Sequence, residues 1–137
     1  MKEKCIFCEI SNGNIPSKKI LETENVLALL DVNPVSEGHT LVIPKKHYEN
    51  IFDIDKEILK EISEICQKLS NLFKEKLKCE GVNILNASGK VAQQSVFHLH
   101  FHVVPRYSND KLNLWFHQEA NKNIDLNKVF NKISNIY

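Results

Sequence analysis

Three of the six histidines fall close together in the stretch Phe97-His98-Leu99-His100-Phe101-His102-Val103-Val104. Side chains alternate between the two faces of a strand. Read as one strand over 97–104, this stretch puts His98, His100 and His102 on one face. Phe97, Leu99, Phe101 and Val103 would then back them from the core side. A row of imidazoles has two chemical uses. Neutral imidazole is a good zinc ligand. Near neutral pH, one imidazole can also attack phosphorus while its neighbours donate hydrogen bonds. The loop before the histidines favours the second use, because Asn86, Ser88, Gly89, Gln93, Gln94 and Ser95 offer amides and hydroxyls that cradle an anion. Cys5 and Cys8 form a C-x-x-C pair, a half-site for zinc or a redox motif. Cys66 and Cys79 read as packing or exposed free thiols.

The elements that must position these residues can be read from pattern. The surest is a helix over about 55–78, where Ile58, Ile62, Ile65, Leu69, Leu72, Phe73 and Leu77 recur at three- and four-residue steps. Asp53 or Asp55 would cap its start, and Gly81 suits its exit. Short strands are expected at 19–22, 26–31, 40–43 and 82–85. The strand at 97–104 would end at Pro105. A helical turn over 5–11 and a final helix over 123–135 complete the chain. One long helix among short strands implies an α+β fold with an antiparallel sheet packed by helices.

The 137 residues fit one domain. Hydrophobic residues make up 42% and charged residues 26%, which excludes a disordered or collagen-like chain. Eighteen basic against seventeen acidic residues leave a net charge of +1, so no strong field points to nucleic acid or an anionic membrane. The apolar runs are far shorter than the roughly 20 residues of a membrane helix, and the charged start leads into no signal-type apolar core. A soluble, cytoplasmic protein with reduced thiols is expected.

The order of motifs resembles the histidine-triad (HIT) family. His98-Leu-His100-Phe-His102-Val-Val is similar to the family signature, and it does not stand alone. Cys5-Ile-Phe-Cys-Glu-Ile, Gly38-His39-Thr-Leu-Val-Ile-Pro-Lys-Lys-His47 and Gln94-Ser95-Val-Phe-His98 resemble further family segments in the same order. The likeness spans about residues 5–107, leaves 108–137 as a variable tail, and is nearest to the Hint-like and bacterial HIT branch.

The resemblance implies an antiparallel sheet continued across a homodimer and a site for a purine nucleotide of the AMP type. It implies hydrolysis of adenosine 5′-phosphoramidate-type substrates through a nucleotidyl-histidine, with His100 as nucleophile. His102 and Ser95 would contact the phosphate, and His39 would assist near the leaving group. By the same resemblance Phe7, Ile10, Leu29 and Leu30 line the base pocket, and Asp31 binds the ribose hydroxyls. Asn86 lies near ribose and phosphate, and Gln94 precedes Ser95 in its motif. Cys5, Cys8, His47 and His98 correspond to a structural zinc set that the chemical step does not need. A dinucleoside polyphosphate hydrolase and a nucleotide-binding adaptor with weak catalysis are the alternatives. A DNA-repair module of the aprataxin branch is disfavoured by the small net charge and the lack of an extra zinc-finger segment. Two departures stand out. Gln93 occupies a position that is often Gly in relatives, so a positive φ there would cost strain. The turn at Asn86-Ala87-Ser88-Gly89 lacks the second asparagine common in relatives. His117 and Trp115 in the tail have surface or packing roles as their simplest reading.

Overall fold

The computed structural model describes residues 4–134. Its elements are α1 (Ile6–Ser11), β1 (Lys19–Glu22), β2 (Val26–Leu30), β3 (Thr40–Pro44), α2 (Lys56–Lys76), β4 (Gly81–Leu85), β5 (Phe101–Arg106) and α3 (Leu126–Ile133), with a short 3-10 turn at Lys90–Ala92. The five strands form one antiparallel sheet in the order β1-β2-β3-β5-β4. The fold is therefore α+β, as the pattern of elements required.

α2 forms where its apolar stripe dictates. Asp55 caps it by accepting from the N–H groups of Glu57 and Ile58, whereas Asp53 accepts from Glu49 and Asn50 and so shapes the preceding loop. Ile62, Ile65, Cys66, Leu69 and Phe73 of α2 bury against Val26, Ala28, Val42, Leu99 and Val103 of the sheet side. A second cluster sits on the opposite face. There Phe7 and Ile10 of α1 pack on Leu27, Leu29, Leu41 and Ile43. Both faces of β2 and β3 are thus covered, which explains why these strands are apolar runs rather than alternating ones. Cys66 and Cys79 are buried free thiols in the first cluster.

Several boundaries differ from expectation. The strand expected over 97–104 begins only at Phe101 and runs to Arg106. β3 pairs with β5 at Thr40–Val103, Leu41–His102 and Val42–Phe101. Two residues further along β3 stands Pro44, which has no N–H to give. The backbone there turns to other partners: Leu99 N–H donates to the carbonyl of Tyr48. Phe97 is 45% exposed and so does not back the histidines, though Leu99 and Val103 do. Pro105 fails to end the strand. The Arg106 carbonyl accepts from Glu80 on the β4 side, so Pro105 faces the other side, beyond the last β3 pair, where no N–H is required. At the end of α2, the positive φ falls on Lys78 (+57°), and Gly81 instead opens β4. α3 is shorter than expected: Asp125 caps it through Lys128 N–H, and residue 135 lies outside the described residues. Leu126, Val129, Phe130 and Ile133 do share a stripe, and all four are exposed.

Candidate functional site

The segment from His98 to His102 runs between two groups of side chains, and each imidazole is fixed by a different partner. His98 is fully buried. Its Nε2–H donates to the carbonyl of Pro44 at 2.8 Å. A neutral imidazole carries one proton, so Nδ1 keeps its lone pair. Burial holds the His98 pKa down at about 4, consistent with a neutral ring. That Nδ1 lies 3.3 Å from Cys5 Sγ and 3.5 Å from Cys8 Sγ. His47 Nδ1 is 3.4 Å from Cys8 Sγ. The four donor atoms of Cys5, Cys8, His47 and His98 all lie within 4.8 Å of one another.

His100 is arranged the other way round. Its Nδ1–H donates to the His98 carbonyl at 2.8 Å, which leaves Nε2 as the atom with the free lone pair. The His100 carbonyl accepts from Asn86 Nδ2 at 3.0 Å. Asn86 Oδ1 in turn accepts from Ser88 Oγ, and Ser88 Oγ accepts from the N–H of Ile51. Asn86 therefore holds the backbone of the histidine segment rather than facing the groove.

His102 and His39 form a third arrangement. His39 Nδ1 accepts from the N–H of Val35 at 3.1 Å, so its proton is on Nε2. That Nε2–H donates to His102 Nδ1 at 2.9 Å, with Asp31 Oδ2 3.5 Å away. His102 must then carry its proton on Nε2, which has no protein partner among the described residues. Burial lowers both pKa values; for His102 the neighbouring His100 and His39 add to it, and the value reaches about 4. Both rings are therefore neutral at pH 7, and the orientation of each is set by the hydrogen bond behind it. The rings of His100 and His102 lie 5.1 Å apart.

The rings of His100 and His102 line a largely apolar groove of about 360 Å³, which is within the size range of small-molecule sites. Of the residues anticipated from sequence, Phe7, Ile10, Leu29, Leu30, Asp31, Ser95, His100 and His102 line it. His39 is buried behind His102 and does not line it. Gln94 is also buried and serves as a loop brace: its Nε2 donates to the carbonyls of Glu49 and Val96, and its Oε1 accepts from Gly89 N–H. Gln93 adopts φ +68°, a left-handed backbone that suits glycine better. Ile6, Ile15, Pro16, Ser17, Val32, Asn33, Leu41 and Val96 also line the groove, beyond the residues anticipated from sequence. Leu41 and Val96 look like ordinary core residues, and only the Pro-Ser break after α1 signalled that the chain turns back along the groove.

Comparison with known proteins agrees with this geometry. The family profile described as HIT domain matches residues 12–109. The chain belongs to the HIT family. A crystal structure of a HIT-family member from Bacillus subtilis superposes with a TM-score of 0.87 at 39% identity, covering 98% of both chains. A zinc-bound histidine triad family protein from Mycobacterium smegmatis matches with a TM-score of 0.78 at 42% identity over 81% of both chains. The adenosine 5′-monophosphoramidase of Saccharomyces cerevisiae is 41% identical over 102 residues, 74% of this chain and 62% of the yeast protein. Among the described residues, no helix is long and apolar enough to cross a membrane.

Proposed function

We propose that this HIT protein is a purine-nucleotide hydrolase that cleaves adenosine 5′-phosphoramidate-type substrates through a nucleotidyl-histidine. The observation that carries the reading is the fixed tautomer of His100. Its Nδ1–H is committed to the His98 carbonyl, so the Nε2 lone pair is available to a phosphorus bound in the groove that His100 lines. Attack forms the Nε2–P bond and breaks the bond from phosphorus to the amine, which takes a proton from solvent water and departs as ammonia. Water then attacks the same phosphorus, breaks the P–Nε2 bond and releases the 5′-monophosphate. Two further groups that line the groove, the His102 Nε2–H and the Ser95 hydroxyl, serve the phosphoryl oxygens as their charge reorganises. His39 acts one step back, because its Nε2–H fixes His102 in the donating tautomer. Phe7, Ile10, Leu29 and Leu30 give the base an apolar slot, and Asp31 beside them suits the ribose hydroxyls. The yeast phosphoramidase supports this substrate class.

The Cys5, Cys8, His47 and His98 set fits zinc. Two thiols and two imidazole nitrogens converge, and the His98 lone pair is aimed at the sulfurs by the bond to Pro44. Without a cation, burial and the neighbouring Cys5 push the Cys8 thiol up to about 11. A bound Zn²⁺ would displace those protons and tie α1 to the histidine segment. The zinc-bound relative supports this assignment. A homodimer follows from the same family reading: β4 is a sheet edge that exposes Ile84, an open place for a second sheet to pair.

The test is AMP release from adenosine 5′-phosphoramidate, with diadenosine tetraphosphate alongside, by wild type and His100→Ala. Release from the phosphoramidate, abolished in the variant, is the expected result. Preference for the dinucleotide would assign a polyphosphate hydrolase instead. AMP binding without turnover of either compound would overturn the enzyme reading and make the protein a nucleotide-binding adaptor.

A further inference from the structure

α1 is a wall of the groove with few attachments of its own. It supplies Ile6, Phe7 and Ile10 to the groove lining. Yet it is six residues long, and Cys5 gives it no side-chain cap. A helix this short is unstable by itself. The backbone hydrogen bonds of the segment 5–15 close within it: Glu9 N–H to the Cys5 carbonyl, Asn12 to Cys8, Gly13 to Ile10, and Asn14 and Ile15 to Glu9. No strand ladder fastens it. Side chains alone connect it to the rest of the protein, namely the buried Phe7 and Ile10, and the two cysteines against His98 and His47.

His98 is held quite differently. It is fully buried, its Nε2–H is bonded to Pro44, and its neighbour Leu99 is bonded through N–H to Tyr48. Neither tie uses Nδ1, the atom that a metal would take. Phe7 bridges the two regions, since its ring stands edge-on to His98 at 5.7 Å and to His100 at 5.3 Å. Loss of the metal would therefore leave His100 in place and release the wall that faces it.

We infer that Cys5 and Cys8 are positioning residues for the nucleotide: by gripping a metal with His47 and His98 they hold α1 and its Phe7 against the groove, so that metal occupancy sets nucleotide affinity without setting the chemical step. The inference rests on the nucleotide reading above and deepens it. It predicts a split in kinetics. A bound metal that only stabilised the fold would leave affinity and exchange rates within the folded protein unchanged.

The full-length protein is stripped of metal with a chelator under reducing conditions and then reloaded with Zn²⁺. AMP affinity is measured by calorimetry, and hydrogen exchange is followed in peptides covering 5–16, 56–76 and 97–106. In the stripped protein AMP binding weakens about tenfold or more, the equivalent of about 1.4 kcal/mol of lost contact with the α1 wall. Exchange over 6–11 accelerates, exchange over 97–106 stays the same, and zinc reverses both changes. For the phosphoramidate, KM rises while kcat stays within about twofold. Cys8→Ser shows the weak binding even with zinc present; if that variant does not fold, the chelated wild type decides. Equal AMP affinity and equal exchange over 6–11 with and without zinc would overturn the inference. So would a collapse of kcat with KM unchanged, or failure of the reduced protein to retain zinc. If the loaded protein binds no AMP, the nucleotide reading falls, while exchange over 6–11 still shows whether the metal anchors α1.

Discussion

His98 and His100 stand two residues apart, both buried and both bonded through one ring nitrogen to a backbone carbonyl, yet they leave opposite nitrogens free. His98 gives Nε2–H to Pro44 and keeps Nδ1 for the cysteines. His100 gives Nδ1–H to His98 and keeps Nε2 for the groove. Residue type alone does not distinguish them. The difference lies in which carbonyl each ring meets, and that follows from the end of the β3 ladder at Pro44. Because the ladder stops there, the Pro44 carbonyl is open to a side chain, and the His98 carbonyl is open to the next ring. One irregularity in the sheet thus sorts two identical side chains, leaving Nδ1 of one and Nε2 of the other without a backbone partner.

Exchanging the two roles by mutation gives the largest contrast. His100→Ala should cost at least about a thousandfold in turnover of the phosphoramidate, since a nucleophile has no substitute in the chain. Stability and AMP binding should change little. His98→Ala should do the reverse and destabilise by about 3 kcal/mol through a buried cavity and an unpaired Pro44 carbonyl. Urea unfolding beside single-turnover kinetics separates the two. If His98→Ala lost turnover at full stability, this division of labour between the two rings would be wrong.

A smaller effect tests the support behind His102. Gly38 precedes His39 with φ +91°, and a Cβ there would meet Leu77 Cδ1 at 2.5 Å and Pro105 Cγ at 3.1 Å. Gly38→Ala should destabilise by about 2 kcal/mol from strain and overlap. It should also shift His39 and loosen the His102 tautomer, so that turnover falls more than AMP binding does. A variant with normal stability and kinetics would show that the β2–β3 loop yields easily and that His39 is held by other means.

Acid should act on the same pair. His39 and His102 have pKa values lowered from 6.5 by burial, His102 to about 4. The unfolded chain then takes up protons that the folded one refuses. Stability from these rings is full above about pH 6.5 and is lost as pH falls toward 4. Urea unfolding at pH 7 and pH 5 should show the loss, and His102→Gln should remove its share of the difference. An equal pH dependence in that variant would shift the cause to other groups.

Much of this was legible in the sequence, and the reasons are local. α2 follows from its stripe and from Asp55. The sheet strands follow from short apolar runs between turns. The grouping of Cys5, Cys8, His47 and His98 came from family likeness, and the structure brings the four donor atoms together. Strict alternation along 97–104 misled, because it treats every residue as part of a ladder. A proline one strand away removed a donor, and that information is written at Pro44, more than fifty residues earlier. Asn86 and Gln94 were expected near substrate. In the structure the amides of both donate to backbone carbonyls. The family likeness puts His39 near the leaving group, and the structure joins it to His102 through Nε2.

The smallest effect lies in the loop that carries Ser95. Gln93 holds φ +68° and ψ +29°, and its side chain is exposed. A left-handed backbone costs a non-glycine residue about 1 kcal/mol. The unfolded-state entropy of glycine works against the exchange, so Gln93→Gly should stabilise by only about 0.5 kcal/mol. Its informative readout is kinetic. Gln94, the next residue, is clamped by three hydrogen bonds, so relaxing Gln93 should leave Ser95 where it is and keep turnover of the phosphoramidate within about twofold. A much faster Gln93→Gly enzyme would mean that the side chain at 93 strains the phosphate loop. The contrast between His98 and His100 would then describe only part of what limits the site, because the loop opposite the nucleophile would share control of the rate.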